Sequence, residues 1–380
     1  MSTVTLVSSD RSHTPEGDAP RTWVRSIEDL PSGPPPRRRS PSSATAEDRV
    51  ILLGSMVAAL ALAWVLCFRL LPWGSPLALT LVAFVLFLAV VTVTTVTVSP
   101  GPAVADRLAG ALVTGGAAVV GLALVTTVVF TFVRGMGALP HLNMFTQDMS
   151  RTGPRDPLTQ GGIVHAIVGS LIQVGIAVVV TVPLALGTAV FMTEVGGRFA
   201  RVVRTVVEAM TALPSIVAGL FIYTVLILGL GIPRSGFAAS MALAVMMLPI
   251  IARAADVVLR VVPSGLREAS LALGASRWRT VWHVVLPTAR PGLATALILG
   301  VARGVGETSP VLLTSGASTY LVTDPFSNAM NSLPLFVFTT VRSGEPLYIQ
   351  RGFAAATVLL ALVLVLFVVA RLLARQRSSR

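Results

Sequence analysis

The sequence predicts an all-α, polytopic membrane protein. Three observations carry this reading: 54% of the 380 residues are hydrophobic, only 12% are charged, and mean hydropathy is +0.80. A soluble domain carries roughly 25% charged residues. Too little polar surface is present to cover so large a core in water, so lipid must solvate much of the chain.

The elements follow in order. Residues 1–49 hold seven prolines, seven arginines and seven acidic residues, and no apolar period persists there. That composition reads as a disordered tail. It lacks the apolar core of a signal peptide. A bilayer core takes about 20 helical residues to cross. Eight stretches meet that length, at 50–68, 75–98, 107–133, 162–192, 205–230, 236–258, 289–313 and 352–373. Long connections rich in Gly, Pro, Ser and Thr are expected near 134–161 and 314–351, and one long connection on the opposite side at 259–288. No internal repeat at a fixed period is present, which disfavours a two-halved secondary transporter and points to a half-pore that needs a partner chain.

Charge sets the expected orientation. All 29 basic residues are arginine and the formal net charge is +12. Without lysine the chain has no Walker A loop and no Schiff-base chemistry. In a chain this apolar, arginine placement records membrane orientation rather than nucleic-acid binding. Arg37, Arg38, Arg39 and Arg49 stand before the first span and place the N-terminus in the cytoplasm. Eight crossings then return the C-terminus, with Arg371, Arg375, Arg377 and Arg380, to the same side. On that topology 17 arginines fall on or next to the cytoplasmic ends of spans and 7 on outer segments, three more lie deeper in the N-terminal tail, and two, Arg253 and Arg303, fall inside spans. Cys67 is the only cysteine, so no disulfide or cysteine-based metal site forms within the chain.

The long connection reads as two short amphipathic helices. Pro263 and Ser264 form a start signal, with Ser264 as the N-cap. Helical spacing follows from Leu266 to Leu273, and Gly274 permits a sharp change of direction. A second helix runs from Ser276 to Val285 with Trp278 and Trp282 four apart, and Leu286-Pro287 ends it. The residues alone leave two readings open. One is a docking knob with Arg267 and Glu268 at its polar rim; the other is an interfacial helix resting on headgroups.

Arg303 lies ~20 Å along the seventh predicted span at 1.5 Å per residue. A charge at that depth costs about 2.5–3.5 kcal/mol or more. Glu307 follows four residues later on the same helical face, and Gly304 and Gly306 allow close helix approach or a bend. Guanidinium matches tetrahedral oxyanions, and the hydroxyls of Thr308 and Ser309 add donors. An anion path is one reading and a packing ion pair the other. Arg253, near the end of the sixth span with Asp256 three residues on, either joins that path or snorkels to the interface.

The 261–293 connection resembles the EAA loop of binding-protein-dependent ABC importer permeases. Glu268, Ala269, Gly274, Val284, Leu286 and Pro287 carry the match, and Ser270 replaces the second Ala. Residues 107–373 further resemble permeases of the phosphate (Pst) type, the A subunit more closely than the C subunit. The carriers are the run from Pro214 to Tyr223, Arg267-Glu268-Ala269, Leu286-Pro287-Thr288, Ala302-Arg303 with Gly306-Glu307-Thr308, and Phe145-Thr146 ahead of Gly161-Gly162. The resemblance implies a six-helix type I permease core over 99–380, with two additional transmembrane helices at 50–98. It implies a substrate path at Arg253, Arg303, Glu307, Thr308 and Ser309. ATPase coupling falls to Arg267, Glu268, Ala269, Gly274, Leu286 and Pro287. It also implies a second homologous permease subunit, two ATP-binding subunits that carry ATP and Mg, and an extracytoplasmic phosphate-binding protein, all at a bacterial cytoplasmic membrane. The chain itself is then a transport subunit with no cofactor or metal of its own.

Two other readings stand beside phosphate import. One is the same architecture moving molybdate or sulfate. The other is a membrane-embedded enzyme, but His13, His141, His165 and His283 are scattered along the chain and no G-x-S-x-G elbow occurs.

Overall fold

The computed structural model describes residues 46–71, 75–98 and 102–374. Of the expected tail over 1–49, residues 1–45 lie outside the described residues, as do the arginines at 375, 377 and 380, while residues 46–49 already belong to a helix. No strand occurs among the described residues. Seven helices are long and apolar enough to cross a membrane, and one further helix pair does so only as a bent unit.

The chain divides into two compact units, Met1–Ala117 and Ala118–Arg380. In the first, α1 (Ala46–Val65, extended by a π-helical turn Leu66–Leu70) pairs with α2 (Pro76–Val98). Ser55, Ala59, Ala63 and Cys67 recur every four residues on α1 and are buried. Small side chains at that spacing let two helices approach closely where no hydrophobic effect drives them together. The start of α3 (Pro102–Gly135) belongs to this unit, and Arg107 there donates to the Thr95 hydroxyl at 3.5 Å. Further along, α3 exposes apolar side chains around its circumference, as suits a helix facing lipid or another chain.

The second unit is built on α5 (Val164–Val190, with a π-helical turn Phe191–Val195), α8 (Gly236–Val261) and α11 (Leu286–Val305). Ala177 and Ala185 of α5 pack with Leu243, Met247 and Ile251 of α8 in one buried cluster. A Cβ on Gly304 would meet the Met247 sulfur at 2.5 Å, and one on Gly300 would overlap Ile251. Gly304 thus permits the close approach to α8 that the sequence suggests, and Gly300, which the sequence does not single out, does the same. Gly306 lies past the end of α11, and a Cβ there would meet only the Arg303 carbonyl.

Two expectations are corrected. The predicted straight span at 205–230 is a broken element, α6 (Gly197–Thr211) and α7 (Ser215–Ile222, extended by Tyr223–Gly229), bent by 107°. Pro214 is the cause, since a proline drives the residue before it out of helical geometry. The seventh predicted span, 289–313, instead runs over Arg277–Val305 as one helix and stops before Gly306. Leu286-Pro287 therefore does not end a helix. The π-helical turn Val281–Val285 lets the Leu286 amide bond the Val281 carbonyl, five residues back, and carries the axis into the proline-containing turn.

The remaining elements are α4 (Asn143–Thr146), α9 (Ser264–Ala272), α10 (Arg277–Thr280), α12 (Ser309–Thr314), α13 (Leu333–Val341) and α14 (Pro346–Ala374). At the end of α8 remote from α9, residues 136–163 and 315–345 form a cap on a core of Met144, Met149, Ile163, Leu333, Phe336 and Ala354. Buried Arg351 donates to the carbonyls of Asp156, Pro157 and Gln160 at 2.8–3.1 Å and pins the cap to α14.

Candidate functional site

The sequence-predicted residues fall into three places. The first is the break between α11 and α12. Contacts of Gly304 with Met247 and of Gly300 with Ile251 put Arg303 level with Leu248, the middle of α8. The helix ends at Val305, yet the next turn keeps the spacing, and Arg303 Nε lies 3.7 Å from Glu307 Oε1. The Arg303 side chain is 60% exposed and that of Glu307 14%. A guanidinium near the end of α11, level with the middle of α8, is thus held by a carboxylate and remains largely exposed. The hydroxyls of Thr308 and Ser309 make no hydrogen bond among the described residues. Pro310, next in line, packs against Gly219 of α7 and fixes α12 on the broken element.

The second place is the exposed pair α9 and α10. Gly274 adopts φ +84° at the turn between them, a conformation that favours glycine. Leu273 before it is 89% exposed, and Trp278 and Trp282 stack edge to face at 5.9 Å. Glu268 and Ala269 lie on the solvent face of α9. Ser270 and Thr280 share a 2.9 Å hydroxyl contact that closes α9 onto α10. Ser264 is the first helical residue, and Pro263 rather than Ser264 occupies the N-cap. Arg267 is not at the rim. Its guanidinium turns inward, pairs with Glu194 at 3.0 Å, and donates to the carbonyls of Leu259 and Val262 at 2.8 Å. Leu286 and Pro287 are half-buried inside the continuous helix.

The third place was not anticipated. Arg253 does not join Arg303. It lines a cleft of about 200 Å³ with Met192, Arg204, Val207, Glu208, Asp256 and Arg260. Asp256 does not pair with Arg253 either. Its two oxygens take Arg204 at 3.3 Å and Arg260 at 3.2 Å, with the Thr193 hydroxyl at 3.1 Å. The sequence signal was Arg198, Arg201 and Arg204 at three-residue spacing, which marks α6 as amphipathic rather than as half of a straight span.

Apolar spans, a charged pair level with the middle of α8 beside a helix break, and an exposed two-helix knob together define a multi-pass membrane component of the solute-permease class. A family model described as "Binding-protein-dependent transport system inner membrane component" matches residues 181–379, just over half the chain. The chain belongs to that family. It is similar to phosphate transport system permease protein PstA 1 of Mycobacterium tuberculosis, at 41% identity over 60% of this chain and 75% of that protein. It is similar to PstA of Mycobacterium leprae, at 40% over 60% and 75%. It is also similar to PstA of Haemophilus influenzae, at 31% over 67% and 88%.

Proposed function

We propose that the chain is the permease subunit of an ATP-driven importer for inorganic phosphate. The observation that carries the reading is Arg303, level with the middle of α8, held by Glu307 and largely exposed. A tetrahedral oxyanion bearing one or two charges satisfies a forked guanidinium donor better than water at that depth. Thr308 and Ser309 offer hydroxyls without hydrogen-bond partners beside it, and Glu307 keeps the empty site near neutral. Relatives named as phosphate permeases favour phosphate over molybdate or sulfate.

The exposed guanidinium of Arg303 and the exposed apolar surface of α3 suit a second, homologous permease that completes the pore. ATP and Mg belong to separate ATPase subunits, two per complex, which receive the knob of Leu273, Trp278 and Trp282 with Glu268 and Ala269. Gly274 sets the turn of that knob, and Arg267 and the Leu286-Pro287 stretch tie it to the spans. A phosphate-binding protein meets the cap on the opposite, extracytoplasmic face. The docking-loop side is cytoplasmic on this reading, because the arginine excess gathers there. Uptake of radiolabelled phosphate by cells lacking the chain tests the assignment: loss of high-affinity phosphate uptake, with molybdate and sulfate uptake intact, is expected. Normal phosphate uptake overturns it.

A further inference from the structure

The cleft around Arg253 has donors that no described residue satisfies. Three guanidinium groups face two carboxylates there, and Asp256 already holds Arg204 and Arg260. Arg253 makes no ion pair or hydrogen bond among the described residues. The Nε of Arg204 is buried without a partner. A buried donor left unpaired, such as the Arg204 Nε, is costly, and a cleft with one guanidinium in excess over its carboxylates favours an anion as the further partner. At ~30 Å³ per water, the cleft has room for an oxyanion and several waters.

The cleft is also not the Arg303 site. Arg303 is level with Leu248 on α8, so Arg253 lies five positions, ~7.5 Å, nearer the docking loop. On α8 it sits two positions from Ile251, the residue that meets α11, and so points away from that helix.

Three consecutive residues join this cleft to the docking loop. The Met192 carbonyl accepts from Arg204 at 3.1 Å. The Thr193 hydroxyl is shared between the Ala189 carbonyl at 2.8 Å and the Asp256 carboxylate at 3.1 Å. The Glu194 carboxylate pairs with Arg267 of α9 at 3.0 Å. All three belong to the π-helical turn Phe191–Val195, an insertion of the kind that recurs at functional positions. An anion drawing on Arg204 and Arg260 competes with Asp256 for them, and Asp256 is the partner of Thr193.

We infer that the cleft of Arg204, Arg253 and Arg260 is a second oxyanion site, filled by free phosphate from the docking-loop side, which restrains the docking loop through Met192–Glu194 and slows import as phosphate accumulates there. This rests on the phosphate reading of the chain. An anionic lipid headgroup offers the same chemistry, and the test separates the two.

The complete importer is reconstituted in phosphatidylcholine vesicles with the docking-loop side and ATP inside and binding protein outside. Initial uptake of labelled phosphate is measured with and without millimolar unlabelled phosphate in the lumen. The wild type is expected to slow by at least ~5-fold, the lower end of ordinary allosteric coupling. Arg260→Gln, at a half-exposed helix end, is expected to blunt that inhibition while uptake into phosphate-free vesicles is kept. Thr193→Val is expected to do the same by cutting the link and leaving the arginines in place. Equal slowing of wild type and both variants, or none in the wild type, overturns the inference. So does inhibition that appears only when anionic phospholipid is added and ignores lumenal phosphate. If wild-type vesicles free of lumenal phosphate take up none at all, the phosphate assignment fails rather than the second site alone.

Discussion

Arg267 on α9 and Glu194 at the end of the α5 span form a 3.0 Å ion pair, with side chains only 22% and 16% exposed. The same guanidinium holds the carbonyls of Leu259 and Val262 at the end of α8. One side chain therefore ties the exposed loop to two spans. Movement of the loop is passed to α5 and α8 rather than lost in a flexible connection. Arg267→Ala removes all of these bonds and strands Glu194. Breaking such a partly buried pair costs about 3 kcal/mol. ATP hydrolysis by the purified complex is expected to persist while phosphate uptake falls by at least ~10-fold, the effect of 1.4 kcal/mol. Uptake and hydrolysis that fall in step would assign Arg267 to assembly instead.

The knob has its apolar tip at Leu273, which no described residue covers. Apolar side chains that fill a partner's pocket contribute 2 kcal/mol or more at hot spots. Leu273→Asp is expected to reduce co-purification of the ATPase by ~30-fold on that scale. Glu268→Arg, on the same solvent face, is expected to weaken it less. Unchanged co-purification by Leu273→Asp would show that the knob rests on lipid.

Packing at the α8–α11 crossing depends on two missing side chains. Gly304→Val places a branched side chain where a single Cβ already meets the Met247 sulfur at 2.5 Å. Overpacking of this kind costs about 1–3 kcal/mol. A lower thermal midpoint of the purified complex is expected, with rescue by Met247→Ala. An unchanged midpoint would mean that the helices separate without penalty.

The cap carries a pH dependence of known sign. The Ser150 hydroxyl, with the backbone amides of Ser150 and Leu321, holds the Asp148 carboxyl below its ordinary value of 3.8. A depressed folded pKa contributes stability that is present above the unfolded value and lost as pH falls through the folded one. Hydrogen exchange at Leu321 and its neighbours is therefore expected to stay slow down to about pH 4 and to rise below it, after correction for intrinsic rates. Asp148→Asn is expected to remove that rise. Protection that weakens between pH 7 and 5 would contradict the assignment.

Much of this was legible from hydropathy, because a span must be apolar over a fixed length whatever its neighbours are. The close approach at Gly304 and the Arg303–Glu307 pairing also followed from local spacing. Non-local features did not. Residues 205–230 pass any test of apolar length, and only Pro214 and the arginine periodicity of 198–204 separate the amphipathic α6 from a true span. The inward turn of Arg267 needed Glu194, 73 positions away. The loss of Asp256 to Arg204 needed α6 folded back onto α8. Leu286-Pro287 was read as a stop because proline interrupts ideal helices, and a π-helical turn before it evades that rule.

The largely exposed guanidinium of Arg303, held by Glu307, carries the phosphate reading. Phosphate uptake by the reconstituted importer carrying Arg303→Ala, with subunit composition verified on the same sample, tests it most directly. Loss of a preorganised oxyanion donor is expected to lower uptake by ~100-fold or more in a complex that still assembles. Wild-type uptake by that variant would contradict the account and leave Arg303 as a packing residue.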